Sequence, residues 1–400
     1  IHLVFDGNVL PMGGRVDVVS ANRNQMVLRS VSESDGKTLT VSADHRYDGF
    51  VWYDVEISSD EPFEYGSLAV VMPLKLAEDI LLSHGAPYPD ATFRASPADP
   101  AILPTSSQTL PYGRLLKPGE TADVALTSYV GLATDTDEEY RGLFFYSEGP
   151  KGWNVRNYDH TYAIRQSAPD RVSLTVNVSD GETRWQRKSV TFGFGLMPVP
   201  MRNDISNFHE DYRVDVQNWV TAYKPREGEK HSYLQQIAWN GVKIELAHES
   251  WAECESYWKA GLNETHMQSY VAAAKGAGVK TLFYFGFLIS NLIPEFTIYH
   301  DLFLSKPSSY PDSPFRPYVY YAQGDPDQGA YNVCYNSVFG DFFARGIIEA
   351  VHHYDLNGIF FDGGLGQVGG CTNIKHGCGT VDPYGRLIPT IPIRTYRRLM

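Results

Sequence analysis

Two periods of hydrophobicity divide this chain. From residue 1 to about Val199, apolar and polar residues alternate in short runs punctuated by Gly, Pro, Asn and Asp. In RVSLTVNVS, Val172, Leu174, Val176 and Val178 share one face, and Ser173, Thr175, Asn177 and Ser179 share the other. FVWYDVEIS repeats the period with Val51, Tyr53, Val55 and Ile57. Successive side chains of a strand point to opposite faces of its sheet, so a period of two predicts half-buried antiparallel strands. Many such strands at turn-punctuated spacing predict a β-sandwich. The two prolines of FGFGLMPVPMRND break the pattern and place a boundary between residues 198 and 199.

Beyond that boundary the period changes. VKIELAH is a strand-like run, and Met267, Tyr270, Val271 and Ala274 then form a helical stripe that halts near Gly276 and Gly278. Thr265 and Gln268 have the spacing of a capping box at its start. TLFYFGF predicts a second strand. SVFGDFFARGIIEAVHHYDL places Phe339, Phe342, Phe343, Ile347, Ala350, Val351 and Tyr354 on one helical face, and the buried-strand run GIFF follows. Strands separated by helices pair in parallel through right-handed crossovers. The expected fold class is multi-domain β plus α/β: an antiparallel β-sandwich over 1–198, then a (β/α)8 (TIM) barrel over 199–400. Only the first half of that barrel is expected, because a complete one takes about 250 residues. A doubly wound sheet is the alternative. The chain starts at Ile1 and closes on IPIRTYRRLM, with Ile393, Tyr396, Arg397 and Met400 at helical spacing, and so reads as an excised or processed piece.

The carboxyl ends of parallel strands are where α/β folds place reactive groups. AHESW delivers His248, Glu249 and Trp251 after the first such strand, YFGF delivers Tyr284 and Phe287 around the second, and IFFDGG delivers Asp362. For Glu249 a plain loop or helix-start carboxylate is the competing explanation, and for Asp362 an aspartate that opens a turn before two glycines. In the first domain, Trp153 lies in the loop sequence YSEGPKGWNV and is a candidate to reach over the barrel mouth.

A net charge of −13 argues against a nucleic-acid or anionic-membrane partner, and no apolar run is long enough to insert in a bilayer. The 26 Tyr and 7 Trp supply flat apolar surfaces of the kind that sugar rings stack on. HESWAEC lacks the second histidine of a zincin, and neither a phosphate-binding loop nor a serine-nucleophile elbow occurs, so no cofactor is called for. CTNIKHGC sets Cys371, His376 and Cys378 on one Gly-rich loop. Three ligands fall short of a zinc site, so no metal is expected. Cys371 and Cys378 are predicted to be bridged, or at least adjacent.

The order of sandwich, FGLMPVP junction, AHESW, FYFGF and NGIFFDGG resembles a group of bacterial glycoside hydrolases. They are distantly similar to the exo-β-N-acetylgalactosaminidase family numbered 123 among glycoside hydrolases. GIFFDG also looks like the strand that carries the aspartate nucleophile of several retaining glycosidase barrels. That resemblance implies a glycosidase that retains configuration at a carbohydrate substrate, with Asp362 as nucleophile or stabiliser. In the β-N-acetylgalactosaminidases the resemblance would place an aspartate beside a glutamate, and Gly363 follows Asp362 here. Glu249 is the only strand-end candidate for the acid in this sequence, and a later strand past Met400 is the preferred place for it. His248, Trp251, Tyr284, Phe287 and Trp153 would bind sugar, and the setting would be secreted or periplasmic. A non-catalytic glycan-binding protein and a lyase remain the competing classes.

Overall fold

The computed structural model describes residues 1–10, 14–76, 80–84, 113–136, 139–199, 213–217, 221–254, 257–286, 288–312, 328–362 and 370–399. Within these, the side chains of 113, 114, 135, 136, 139, 140, 217, 249 and 308 lie outside the description. The chain divides into two compact units, Ile1–Asp204 with Gly379–Ile391, and Ile205–Cys378 with Pro392–Met400.

The first unit is antiparallel throughout its described strands and is organised by two long ones, Val51–Lys75 and Arg171–Val199. Their register divides it in two. Val51–Ser58 runs beside Ser189–Leu196, and Ser67–Lys75 runs beside Arg171–Asp180. Register shifts at Asp180/Trp185 and Arg187/Ser189 lie between the two stretches, and a third, at Asn177/Ser179, lies within the second. Such irregularities let one strand pass from one sheet to another. Lys37–Arg46 and Glu139–Tyr146 extend one half, and His2–Phe5 and Tyr162–Ala168 extend the other.

Inner residues of both halves meet in a single core, where the rings of Phe145 and Tyr162 lie 5.7 Å apart. Val172, Leu174, Val176 and Val178 are all buried there, on the face their alternation predicts. Trp153 also belongs to this core and is 1% exposed. This corrects its reading as a residue reaching out to a substrate. Gly152, at φ +80°, rests against the Thr191 backbone so closely that a Cβ would lie 1.8 Å from its carbonyl oxygen. Its loop is thereby packed onto the strand, and the adjacent indole is interior.

The sequence boundary puts residues 379–391 in the second domain, whereas they group with the first unit. Arg386 explains much of this. Its Nε donates to Asp382 Oδ2 at 2.6 Å, and its other nitrogens donate to the carbonyls of Arg156 and Val155. Ile388 enters the core, and Tyr158 donates its hydroxyl to Asp382 at 3.0 Å.

The second unit contains four parallel strands in chain order: β1 (Val214–Gln217), β2 (Ile244–Ala247), β3 (Lys280–Phe285) and β4 (Gly358–Phe361). Helix α1 (Tyr233–Trp239) precedes β2, and α2 (Glu264–Gly276) precedes β3. Two helices, α3 (Pro294–Phe303) and α4 (Val338–Tyr354), precede β4, and α5 (Ile393–Leu399) follows it. Among the described residues these strands form an open sheet.

The stripe Met267, Tyr270, Val271 and Ala274 is buried on α2. Its predicted capping box is corrected, because the helix starts at Glu264 and Thr265 lies inside it. Asn263 caps without a side-chain bond, and Gln268 Nε2 instead donates to Glu264 at 2.9 Å. A capping box does form on α1, between Ser232 and Gln235. On α4, Phe339, Phe343, Ala350 and Tyr354 are buried while Phe342, Ile347 and Val351 are partly so. Gly346 of the same helix seats the Trp258 indole, which would lie 2.1 Å from an added Cβ. No described helix is long and apolar enough to cross a membrane.

Candidate active site at the strand ends

Alternation along parallel strands determines which side chains can meet. Ala247, Phe283 and Phe285 join the core with α2 and α4, and Glu245 shares their face, bonded to Tyr270 of α2. The intervening residues Leu246, Tyr284 and Phe360 belong to the opposite face, on which Val214, Val216 and Phe360 are exposed while Leu246 and Tyr284 are buried. His248 continues the parity of Leu246, and Asp362 that of Phe360. The three polar candidates thus share the face away from the helices at the carboxyl ends of β2, β3 and β4, with His248 and Asp362 directly after their strands and partly buried, and Tyr284 buried in the last pleat of β3.

Their geometry is consistent. Register sets Tyr284 beside Phe360 and Phe285 beside Phe361, and the Asp362 amide continues the ladder by donating to the Phe285 carbonyl at 2.8 Å. Tyr284 donates its hydroxyl to Asp362 Oδ2 at 3.3 Å. Its ring packs against His248 with centroids 4.4 Å apart and stacks on Phe360 at 6.1 Å. A carboxylate, a phenol and an imidazole thus stand in sequence across three neighbouring strand ends. A carboxylate held by a phenol donor can meet developing positive charge or act as a nucleophile, and the flanking groups can donate to hydroxyls.

Trp251 is placed differently from its expected role. It is wholly buried, with its ring 4.4 Å from Phe283, 5.3 Å from Phe285 and 6.2 Å from Tyr354. The short turn Glu249–Trp251 carries the indole into the helix-side core, so it cannot form a subsite wall. Its Nε1 donates to the Tyr284 carbonyl at 2.8 Å and so supports the strand end that carries the phenol. The Glu249 side chain and Phe287 lie outside the described residues.

One group escaped the sequence reading. Glu245, fully buried on β2, accepts a hydrogen bond from Tyr270 at 2.6 Å. Burial, and then the neighbouring Asp215, push its carboxyl up to about 8, against the opposing effect of the Tyr270 bond. Asp215 lies opposite it in the strand register and accepts from Tyr233 at 2.7 Å. The only sequence signal was a glutamate inside an apolar run. Its parity points it toward the helices, away from Asp362.

No family model and no curated protein matches the chain. Among solved structures it is similar to a GH31 α-xylosidase from a soil metagenome, at 8% identity and a TM-score of 0.36, covering 92% of this chain and 60% of that one. A GH31 sulfoquinovosidase from E. rectale gives 9% identity and a TM-score of 0.34, covering 91% and 57%. A heparinase III gives 13% and 0.26, covering 50% and 23%. The chain spans less than two thirds of the length of each. Likeness at this level fixes neither family nor activity, and the similarity to the β-N-acetylgalactosaminidases stays a resemblance.

Proposed function

We propose that this chain is part of a carbohydrate-active enzyme, a glycoside hydrolase that works at the face shared by His248, Tyr284 and Asp362. The observation that carries the reading is the Asp362 carboxylate at the end of β4, held by the Tyr284 hydroxyl of the neighbouring strand end. A short apolar strand that delivers an oriented carboxylate beside a phenol and an imidazole is what attack on a glycosidic carbon requires. Asp362 is the nucleophile or stabiliser of the oxocarbenium-like transition state. Retention requires a second carboxyl about 5–5.5 Å away, and Glu249, in the turn after β2, is the candidate in this chain. Tyr284 and His248 bind the sugar, and Trp251 serves them from beneath. The substrate is a glycan or polysaccharide, met in a secreted or periplasmic setting.

Asp362→Asn tests this. It keeps the shape of the side chain and removes its charge, so thermal melting and glycan binding should hold. Turnover on a panel of aryl glycosides and glycans should fall by about a hundred-fold or more. An Asn variant with near wild-type turnover on a substrate that the parent cleaves removes Asp362 from catalysis. A parent that binds glycans and cleaves none of them establishes the binding-protein reading instead.

A further inference from the structure

Four ligand-bearing side chains that no strand-end chemistry uses converge at the far end of α3. The sulfurs of Cys334, Cys371 and Cys378 and a ring nitrogen of His376 all lie within 4.8 Å of one another. Cys334 precedes α4, and the other three follow β4, so the cluster is assembled by the fold from distant parts of the sequence. The three cysteines are each 1% exposed and form a buried cluster of their own. All four cysteines of the chain are free, which corrects the bridged form of the sequence expectation and leaves Cys371 and Cys378 adjacent.

The separations fit a metal better than a disulfide. Cys334 Sγ lies 3.7 Å from Cys378 Sγ, and Cys371 Sγ lies 3.1 Å from His376 Nε2. A disulfide would draw two sulfurs to about 2.05 Å. With zinc bonds of about 2.3 Å to sulfur, the edge of a tetrahedron is roughly 3.8 Å. The surroundings also suit ligation. His376 Nδ1 lies 3.1 Å from the Leu302 carbonyl, which selects the Nδ1–H tautomer and turns the Nε2 lone pair toward the sulfurs. Two donors already point at the sulfurs, the Asn373 amide at Cys371 (3.4 Å) and Asn336 Nδ2 at Cys378 (3.5 Å), as thiolate ligands prefer. Gly377, at φ +81°, reverses the chain between His376 and Cys378 so that both face the same point.

We propose that Cys334, Cys371, His376 and Cys378 form a structural zinc site. Four protein ligands close the coordination shell, which distinguishes it from a catalytic zinc with an open position. The ion ties the segment after β4 to the start of α4 and the end of α3, where Asn373 Nδ2 already donates to the Asp301 and Leu304 carbonyls. This reading is independent of the glycosidase proposal.

The test starts with the full chain purified under reducing conditions, with and without added zinc chloride. Elemental analysis should find about one zinc per chain. Cobalt(II) in its place should show tetrahedral d–d bands and thiolate-to-cobalt charge transfer. Cys334→Ser and His376→Gln should each lose the metal, while Cys254→Ala, outside the cluster, keeps it. Should the ligand variants fail to fold, wild-type protein supplies the readout: a mercurial that titrates its thiols should release the zinc stoichiometrically, and a chelator should lower the melting temperature. Absence of stoichiometric zinc after reconstitution overturns the proposal. So does undiminished binding in a soluble Cys334→Ser variant, or a disulfide between two of these cysteines in the native protein.

Discussion

Glu245→Gln offers a quantitative test of the buried polar network beneath β2. Glu245 is fully buried, and its carboxyl titrates at about 8 in the folded chain against 4.5 for the ordinary group. A folded pKa above the unfolded one means that folding takes up a proton between the two values. The associated stability is complete below about pH 4.5 and is lost as the pH rises toward about 8. Each pH unit in that window removes about 1.4 kcal/mol. Roughly 3 kcal/mol has therefore gone by pH 7, and about 5 kcal/mol above pH 8.

Glutamine has nearly the same shape, can accept the Tyr270 hydrogen bond through its carbonyl oxygen, and cannot ionise. Wild type and variant should agree within about 1 kcal/mol near the acid end of the window and diverge with rising pH. At pH 7 the variant should be the more stable by about 3 kcal/mol. Urea denaturation at a series of pH values, read at the transition of the second unit, measures the difference directly. Parallel pH profiles for the two proteins would refute a neutral buried carboxyl at this position.

Two further substitutions probe the site and its scaffold. Tyr284→Phe removes the donor to Asp362 and leaves the ring on His248 and Phe360, so kcat should fall about ten-fold while unfolding free energy stays within about 1 kcal/mol. Unchanged turnover would mean that the phenol does not act on the carboxylate. Gly346→Ala would ordinarily stabilise a helix by about 1 kcal/mol. Here the added methyl would meet the Trp258 ring at 2.1 Å, so urea denaturation should show destabilisation by about 1–3 kcal/mol, and a stabilised variant would overturn that packing.

Local periodicity made much of the architecture readable from the amino acids alone. Alternation in RVSLTVNVS placed four valine and leucine side chains in a core, and the stripes on α2 and α4 identified their buried faces, because strand and helix geometry repeat over a few residues. The same parity accounts for His248, Tyr284 and Asp362 sharing one face of the sheet, since each lies an odd number of residues from the inward-facing positions of its strand.

Other outcomes depended on where distant segments came to rest. Trp153 and Trp251 have aromatic faces that suit a sugar equally well, yet membership of the first unit's core in one case and packing against Phe283, Phe285 and Tyr354 in the other makes them interior. The return of residues 379–391 to the first unit rests on hydrogen bonds from Arg386 to carbonyls more than two hundred residues earlier. Cys371, His376 and Cys378 announce themselves in one short loop, but the fourth ligand, Cys334, lies on the far side of α4 and β4 in the chain. Local sequence encodes which face of an element is apolar. Which groups share a ligand sphere is encoded only in the folded packing, because ligand distances of a few ångströms are set by crossovers that no short window contains.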